Sequence, residues 1–97
     1  MTWTRFMDMH SGGGLKEPPL EYIYIEAGEE EAVAMFERKF KRQPDRVTCS
    51  CCGQDYTIYE REDLASATEY ERKWSETPLL ADFLQRKDIL VIPAGTP

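Results

Sequence analysis

The stretch from Val47 to Tyr56 holds every cysteine of the chain, at positions 49, 51 and 52. Cys49 and Cys52 form a C-x-x-C pair followed at once by Gly53. A residue without a side chain permits the tight backbone turn that lets two thiolates face one cation. That is half of a tetrahedral site. The one histidine is His10, in Asp8-Met9-His10, so the metal reading joins two distant parts of the chain. The expected ligands are His10, Cys49 and Cys52, with Asp8 or Cys51 competing for the fourth position. Zinc accepts such a mixture of nitrogen, sulfur and oxygen. Asp8 has a second reading, behind the metal, as the carboxylate that accepts the other N–H of His10 and orients the ring. The alternative without a metal makes the cysteines small buried hydrophobes and His10 a cap on the loop that follows it.

A chain of 97 residues with 41% hydrophobic content predicts one domain over its whole length, residues 1–97. A domain of this size buries only about 60–65% of its unfolded surface. A zinc staple would add to so small a core, because structural zinc in small peptides contributes an apparent ~10–16 kcal/mol. Clustered cysteines make no long-loop disulfide framework, and thiols in a reducing compartment persist for metal or redox work. Zinc is favoured over a disulfide. No segment reaches the roughly 20 apolar residues of a membrane span, and the N-terminus lacks a basic stretch before an apolar run. The expectation is a soluble intracellular protein without a membrane partner.

The net charge of −6 disfavours nucleic acid as the default partner, since phosphate binding runs on lysine and arginine. Glu17, Glu21, Glu26, Glu29, Glu30 and Glu31 follow one another without a base between Glu17 and Glu31, and Arg38, Lys39, Lys41, Arg42 and Arg46 then form a basic block. Acids at the start and bases at the end of one helix complement its dipole, which accounts for the segregation without a binding role. A functional basic patch is the other reading.

The elements that must position these groups are legible in order. Thr2 to His10 reads as a strand whose alternation puts Phe6, Asp8 and His10 on one face and Trp3, Arg5, Met7 and Met9 on the other. Ser11-Gly12-Gly13-Gly14 is a loop, extended by Glu17-Pro18-Pro19. Glu21 to Glu26 is a strand of β-branched and aromatic residues. Gly28 and Glu29-Glu30-Glu31 open a helix with Ala32, Val33, Phe36 and Phe40 at helical spacing, ending near Arg42 before Pro44. Tyr56 to Tyr59 is a short strand entered through the cysteine turn. Asp63 caps a second helix in which Leu64, Ala67, Tyr70 and Trp74 share a face. Thr77-Pro78 starts a third, with Leu80, Phe83 and Leu84 inward. Ile89 to Ile92 is a buried strand stopped by Pro93. The sum is an α+β domain with a mixed or antiparallel sheet of about four strands, about three helices on one face, and a C-x-x-C-G knuckle. Phe36, Ile58, Leu64, Trp74, Phe83 and Leu90 form the expected core.

Trp3 to Gly14, Tyr22 to Ala27, Val47 to Tyr56 and Asp88 to Ile92 together resemble a family of small bacteriophage proteins, a likeness that also touches Arg61 to Trp74. Between Trp74 and Pro78 this chain is shorter than relatives with a longer insertion there. The resemblance implies a viral origin and a host bacterial cytoplasm. It implies no activity.

Two further constellations remain. The amides of Gly12, Gly13 and Gly14 could make a phosphate nest, but the prolines that follow deny the helix such loops open, so an unusual-φ loop rimming the site is the simpler reading. Catalysis would need an open metal position with Asp8, Glu26 or Asp55 as base. Zinc deaminases carry a histidine-glutamate pair ahead of P-C-x-x-C, whereas here no glutamate follows His10 and Thr48 precedes Cys49. No convincing catalytic set results, and the reading leans away from an enzyme. The leading function is an accessory protein that binds a host macromolecule, inhibiting or diverting a host process such as a defence system. Its expected contact residues are Glu29, Glu30 and Glu31 with Gly12, Gly13 and Gly14. A small zinc enzyme acting on a nucleotide or nucleic acid, and a zinc-knuckle nucleic-acid binder using the basic block, are the alternatives.

Overall fold

The computed structural model describes residues 2–9, 17–46 and 55–95. Four strands and three helices follow in the order β1 (Trp3–Asp8), β2 (Tyr22–Ile25), α1 (Glu29–Phe40), β3 (Tyr56–Arg61), α2 (Leu64–Trp74), α3 (Leu80–Leu84) and β4 (Ile89–Ile92). The strands make one mixed sheet in the order β3-β1-β2-β4, with β1 antiparallel to both neighbours and β4 parallel to β2. The fold is α+β, as the alternation and the helical spacing imply. Among the described residues no helix is long and apolar enough to cross a membrane.

The helices cover both faces of the sheet, not the single face that the sequence suggests. One layer holds Phe6, Ile23, Ile25, Ala32, Phe36, Tyr56 and Ile92, beneath α1. The other holds Trp3, Tyr24, Ala67, Phe83 and Ile89, beneath α2 and α3. The cause lies in β1, where Trp3, Thr4, Arg5 and Phe6 are all out of water. A strand buried on both faces needs a layer above and below it. Phe36 anchors the first layer, its ring centroid 4.8 Å from those of Phe6 and Tyr56 and 4.7 Å from that of Phe40. Phe83 anchors the second against Tyr24 at 6.3 Å.

Helix ends follow local chemistry. Asp63 accepts a 2.7 Å bond from the Ser66 N–H, which starts α2 and holds the Asp63 carboxyl below the usual range. Lys41 ends α1 in the left-handed conformation, its N–H bonded to the Glu37 carbonyl. The third helix starts later than the Thr77-Pro78 pair predicts. Its cap is Leu79, with no side-chain bond, while Thr77 Oγ1 accepts instead from Arg86 Nη1 at 3.4 Å.

The predicted core needs one correction. Phe36 and Phe83 are buried and Ile58, Leu64 and Leu90 are partly buried against the two layers, but Trp74 is 71% exposed and Tyr70 62%. The inward residues of α2 are Ala67, Thr68 and Glu71. Glu71 is drawn beneath the helix by Arg5, and an inward Glu71 turns the adjacent Tyr70 outward by one residue's rotation of about 100°.

Candidate functional site

Two surfaces carry the residues singled out by sequence. The first is the end of the sheet where β1 finishes and β3 begins. The Met9 N–H donates to the Asp55 carbonyl at 3.0 Å, and the Asp8 N–H to the Glu21 carbonyl at 2.9 Å. Asp8 and Asp55 are both buried, at 3% and 4% exposure. Asp8 lies across from Tyr56 in the ladder, on the face covered by α1. Burial, and after it the Asp8 carboxylate, push the Tyr56 hydroxyl well above the usual phenol range. Arg42 Nε bonds Glu17 Oε2 at 3.0 Å nearby, so Arg42 is used within the domain and Glu17 is removed from the acidic run. Arg38 and Lys39 sit in the last turn of α1, where they complement its dipole.

His10, Gly12, Gly13, Gly14, Cys49, Cys51 and Cys52 lie outside the described residues, and with them the knuckle. Among the described residues no group of three or more His, Cys, Asp or Glu is placed to hold a metal ion. Asp8 is the one expected ligand within the described part.

The second surface is the outer margin of β3. Gly28 at the head of α1 offers no side-chain cap, and the Glu29 N–H instead donates to Glu60 Oε2 on β3 at 2.7 Å. A Cβ at Gly28 would stand 3.3 Å from that oxygen, so the carboxylate occupies the space a capping side chain would use. Thr4 ties the same corner from below, its hydroxyl donating to the Ala27 carbonyl at 2.8 Å. The result is a shallow groove lined by Gly28, Glu29, Glu30, Glu31, Ala34 and Glu60, four carboxylates and no base. Sequence identified Glu29, Glu30 and Glu31 as a surface; Glu60 joins them only through the fold, and no local signal announces it. Glu26, by contrast, accepts from the Ala94 N–H at 2.9 Å and belongs to the far side of the sheet.

The opposite face of the same strand has another character. Two guanidinium groups lie over the Tyr59 ring, Arg61 at 3.5 Å and Arg5 at 4.5 Å from its centroid. Beside it α2 presents Ser66, Glu69, Tyr70 and Lys73. Beneath them lies a pair that sequence reading missed, in which Arg5 Nη1 donates to Glu71 Oε1 with both side chains almost free of water. Arg5 Nε, Glu71 Oε2 and the Tyr24 hydroxyl have no hydrogen-bond partner among the described residues. Burial, followed by the Glu71 carboxylate, holds the Tyr24 hydroxyl far above the phenol range. Burial and then Glu21 push Tyr22 up to about 12. An arginine in a strand between Trp3 and Phe6 was the available signal. A pair so enclosed positions α2 on the sheet and offers no open face to a substrate.

Comparison with family models, curated proteins and solved structures gives no match.

Proposed function

We propose that this domain is a non-enzymatic binding module that docks a basic macromolecule through the acidic groove between α1 and β3. The observation that carries the reading is the meeting of Glu60 with Glu29, Glu30 and Glu31, from stretches far apart in sequence, in a groove lined by no base. Four carboxylates raise the local concentration of a positively charged partner and speed its association at low salt. The resemblance to bacteriophage proteins sets this partner in a host bacterium, where an accessory factor inhibits or diverts a host process. Nucleic acid is disfavoured because the basic block is partly consumed, Arg42 by Glu17.

Zinc held by His10, Cys49 and Cys52, with Asp8 or Cys51 as fourth ligand, belongs to the same reading as a staple for the sheet end. Its support is the Met9–Asp55 bond: His10 follows the first residue directly and Cys52 precedes the second by three positions. Chain reach of about 3.5 Å per residue lets both tethers start from one spot.

The test is capture of a partner from bacterial lysate by the wild-type protein and by the Glu29→Lys, Glu30→Lys, Glu31→Lys variant. The identified partner is expected to be basic, to associate more slowly as salt rises and to be lost by the variant. Equal capture by the variant excludes the groove, and tight binding to bare DNA points to the basic block.

A further inference from the structure

β3 is an edge strand, paired on one side with β1 and on the other with no strand among the described residues. The ladder fixes which of its backbone groups face outward. The Met9 N–H bonds to the Asp55 carbonyl, and in the same register Met7 lies across from Thr57, Arg5 from Tyr59 and Trp3 from Arg61. In an antiparallel ladder the groups of these odd-numbered residues point into the sheet, and those of Tyr56, Ile58 and Glu60 point away from it. The ends of that outer row are occupied. The Tyr56 N–H donates to the Pro44 carbonyl at 2.9 Å, and the Glu60 carbonyl accepts from Arg61 Nη1 at 2.9 Å. Between them the N–H and C=O of Ile58 and the N–H of Glu60 have no partner among the described residues.

We infer that this open stretch of β3 accepts an extended segment of the partner as a fifth strand, with lysine or arginine at alternate positions. Main-chain bonds to a sheet edge give such complexes their affinity, and pockets for alternate side chains give their specificity. Both pockets are present. Side chains of an added strand beside Ile58 and Glu60 fall on the α1 side, in the groove of Glu29, Glu30, Glu31 and Glu60. Those beside Tyr59 fall on the α2 side, against Tyr59 and Tyr70 and close to Arg61, Lys73 and Glu69. The first side has four acids and no base, whereas on the second Arg61 and Lys73 outnumber Glu69, so the charge pattern favours a strand with bases on the first face and apolar or hydroxyl residues on the other.

A second copy of this chain fits the edge less well. Pairing β3 with β3 about a two-fold axis would bring both acidic grooves together in a protein that already carries a net charge of −6. Arg61, stacked on Tyr59 and bonded to the last outward carbonyl, is the kind of charged guard that keeps edges from pairing indiscriminately.

This inference rests on the acidic-groove reading and is separable from it. The probe is a short synthetic peptide with lysine at alternate positions and threonine or valine between, compared with the same peptide N-methylated on the amides that would face β3. Methylation removes the main-chain donors and keeps every charge. In amide NMR spectra the Ile58 and Glu60 signals are expected to shift and their hydrogen exchange to slow at least tenfold on adding the unmodified peptide. The methylated peptide should bind at least tenfold more weakly. Equal affinity of the two peptides, with shifts confined to Glu29 to Glu31, overturns strand addition and leaves the acidic groove standing. Unchanged peptide binding by the Glu29→Lys, Glu30→Lys, Glu31→Lys variant overturns the groove itself. No binding of either peptide, or slowed exchange at Ile58 caused by self-association alone, also overturns the inference.

Discussion

Arg5 on the inner strand β1 and Glu71 on α2, 66 positions apart in sequence, are bonded to each other in the interior. Removing one member leaves the other as an uncompensated charge, so Glu71→Ala should cost about 3–5 kcal/mol. Replacing both with apolar residues of similar volume, Arg5→Met with Glu71→Leu, should restore most of that loss. Urea unfolding of the two variants measures the difference, and equal losses would mean that the pair is worth more than its desolvation.

The two helical layers give opposite expectations for two aromatic residues. Phe36→Ala empties the centre of the α1 layer and should cost about 3–5 kcal/mol. Trp74→Ala should stay within about 0.5 kcal/mol, because the ring stands in solvent. Thermal melts of both variants decide it.

Glu60 has a structural duty beside its charge. Glu60→Ala removes the side-chain acceptor of the Glu29 N–H at the head of α1 and should cost about 0.5–2 kcal/mol, as other lost N-caps do. Glu60→Gln keeps an acceptor and should recover most of the stability. Partner binding should fall with both, since both delete the charge.

Tyr22 and Tyr24 both titrate above the ordinary phenol value. A raised folded pKa means that the unfolded chain ionises first. The stability these hydroxyls contribute is complete below about pH 10 and is lost as pH rises beyond it toward the folded values. Phenolate absorbance should therefore show Tyr22 ionising near pH 12 and Tyr24 only as the protein unfolds, with a melting temperature that drops steadily above pH 10.

If zinc is bound as proposed, purified protein carries about one ion per chain and a chelator lowers its melting temperature sharply, in keeping with an apparent ~10–16 kcal/mol for structural sites. Cys49→Ser should then hurt more than Cys51→Ser. A chain without metal whose melting temperature ignores chelators would return the cysteines to the role of buried thiols.

Element type was legible because local signals agreed: β-branched and aromatic runs for β2 and β4, the Asp63 cap for α2, and helical spacing of Ala32, Phe36 and Phe40 for α1. Orientation was less so. The apolar residues Leu64, Ala67, Tyr70 and Trp74 suggest one inward face for α2, yet a charge on a different element decides the rotation, and periodicity on a single helix contains nothing about Arg5. The acidic groove was half legible for a similar reason. Glu29, Glu30 and Glu31 are adjacent in sequence, whereas Glu60 reaches them by strand register.

The order of strands in the sheet also has a consequence in time. Thr4 pairs with Ile25 on one side and with Glu60 on the other. Closing the shorter loop costs less entropy, so β1 is expected to meet β2 before β3 joins the sheet. For that interval β1 is itself an edge, and the bonding groups of Trp3, Arg5 and Met7 lie open to any other nascent chain. A cation at Arg5 on this transient margin is a gatekeeper against clumping, and Glu71 shelters it once the danger has passed. The Arg5→Met, Glu71→Leu protein, though stable once folded, should therefore precipitate on refolding at concentrations where the wild-type chain stays clear.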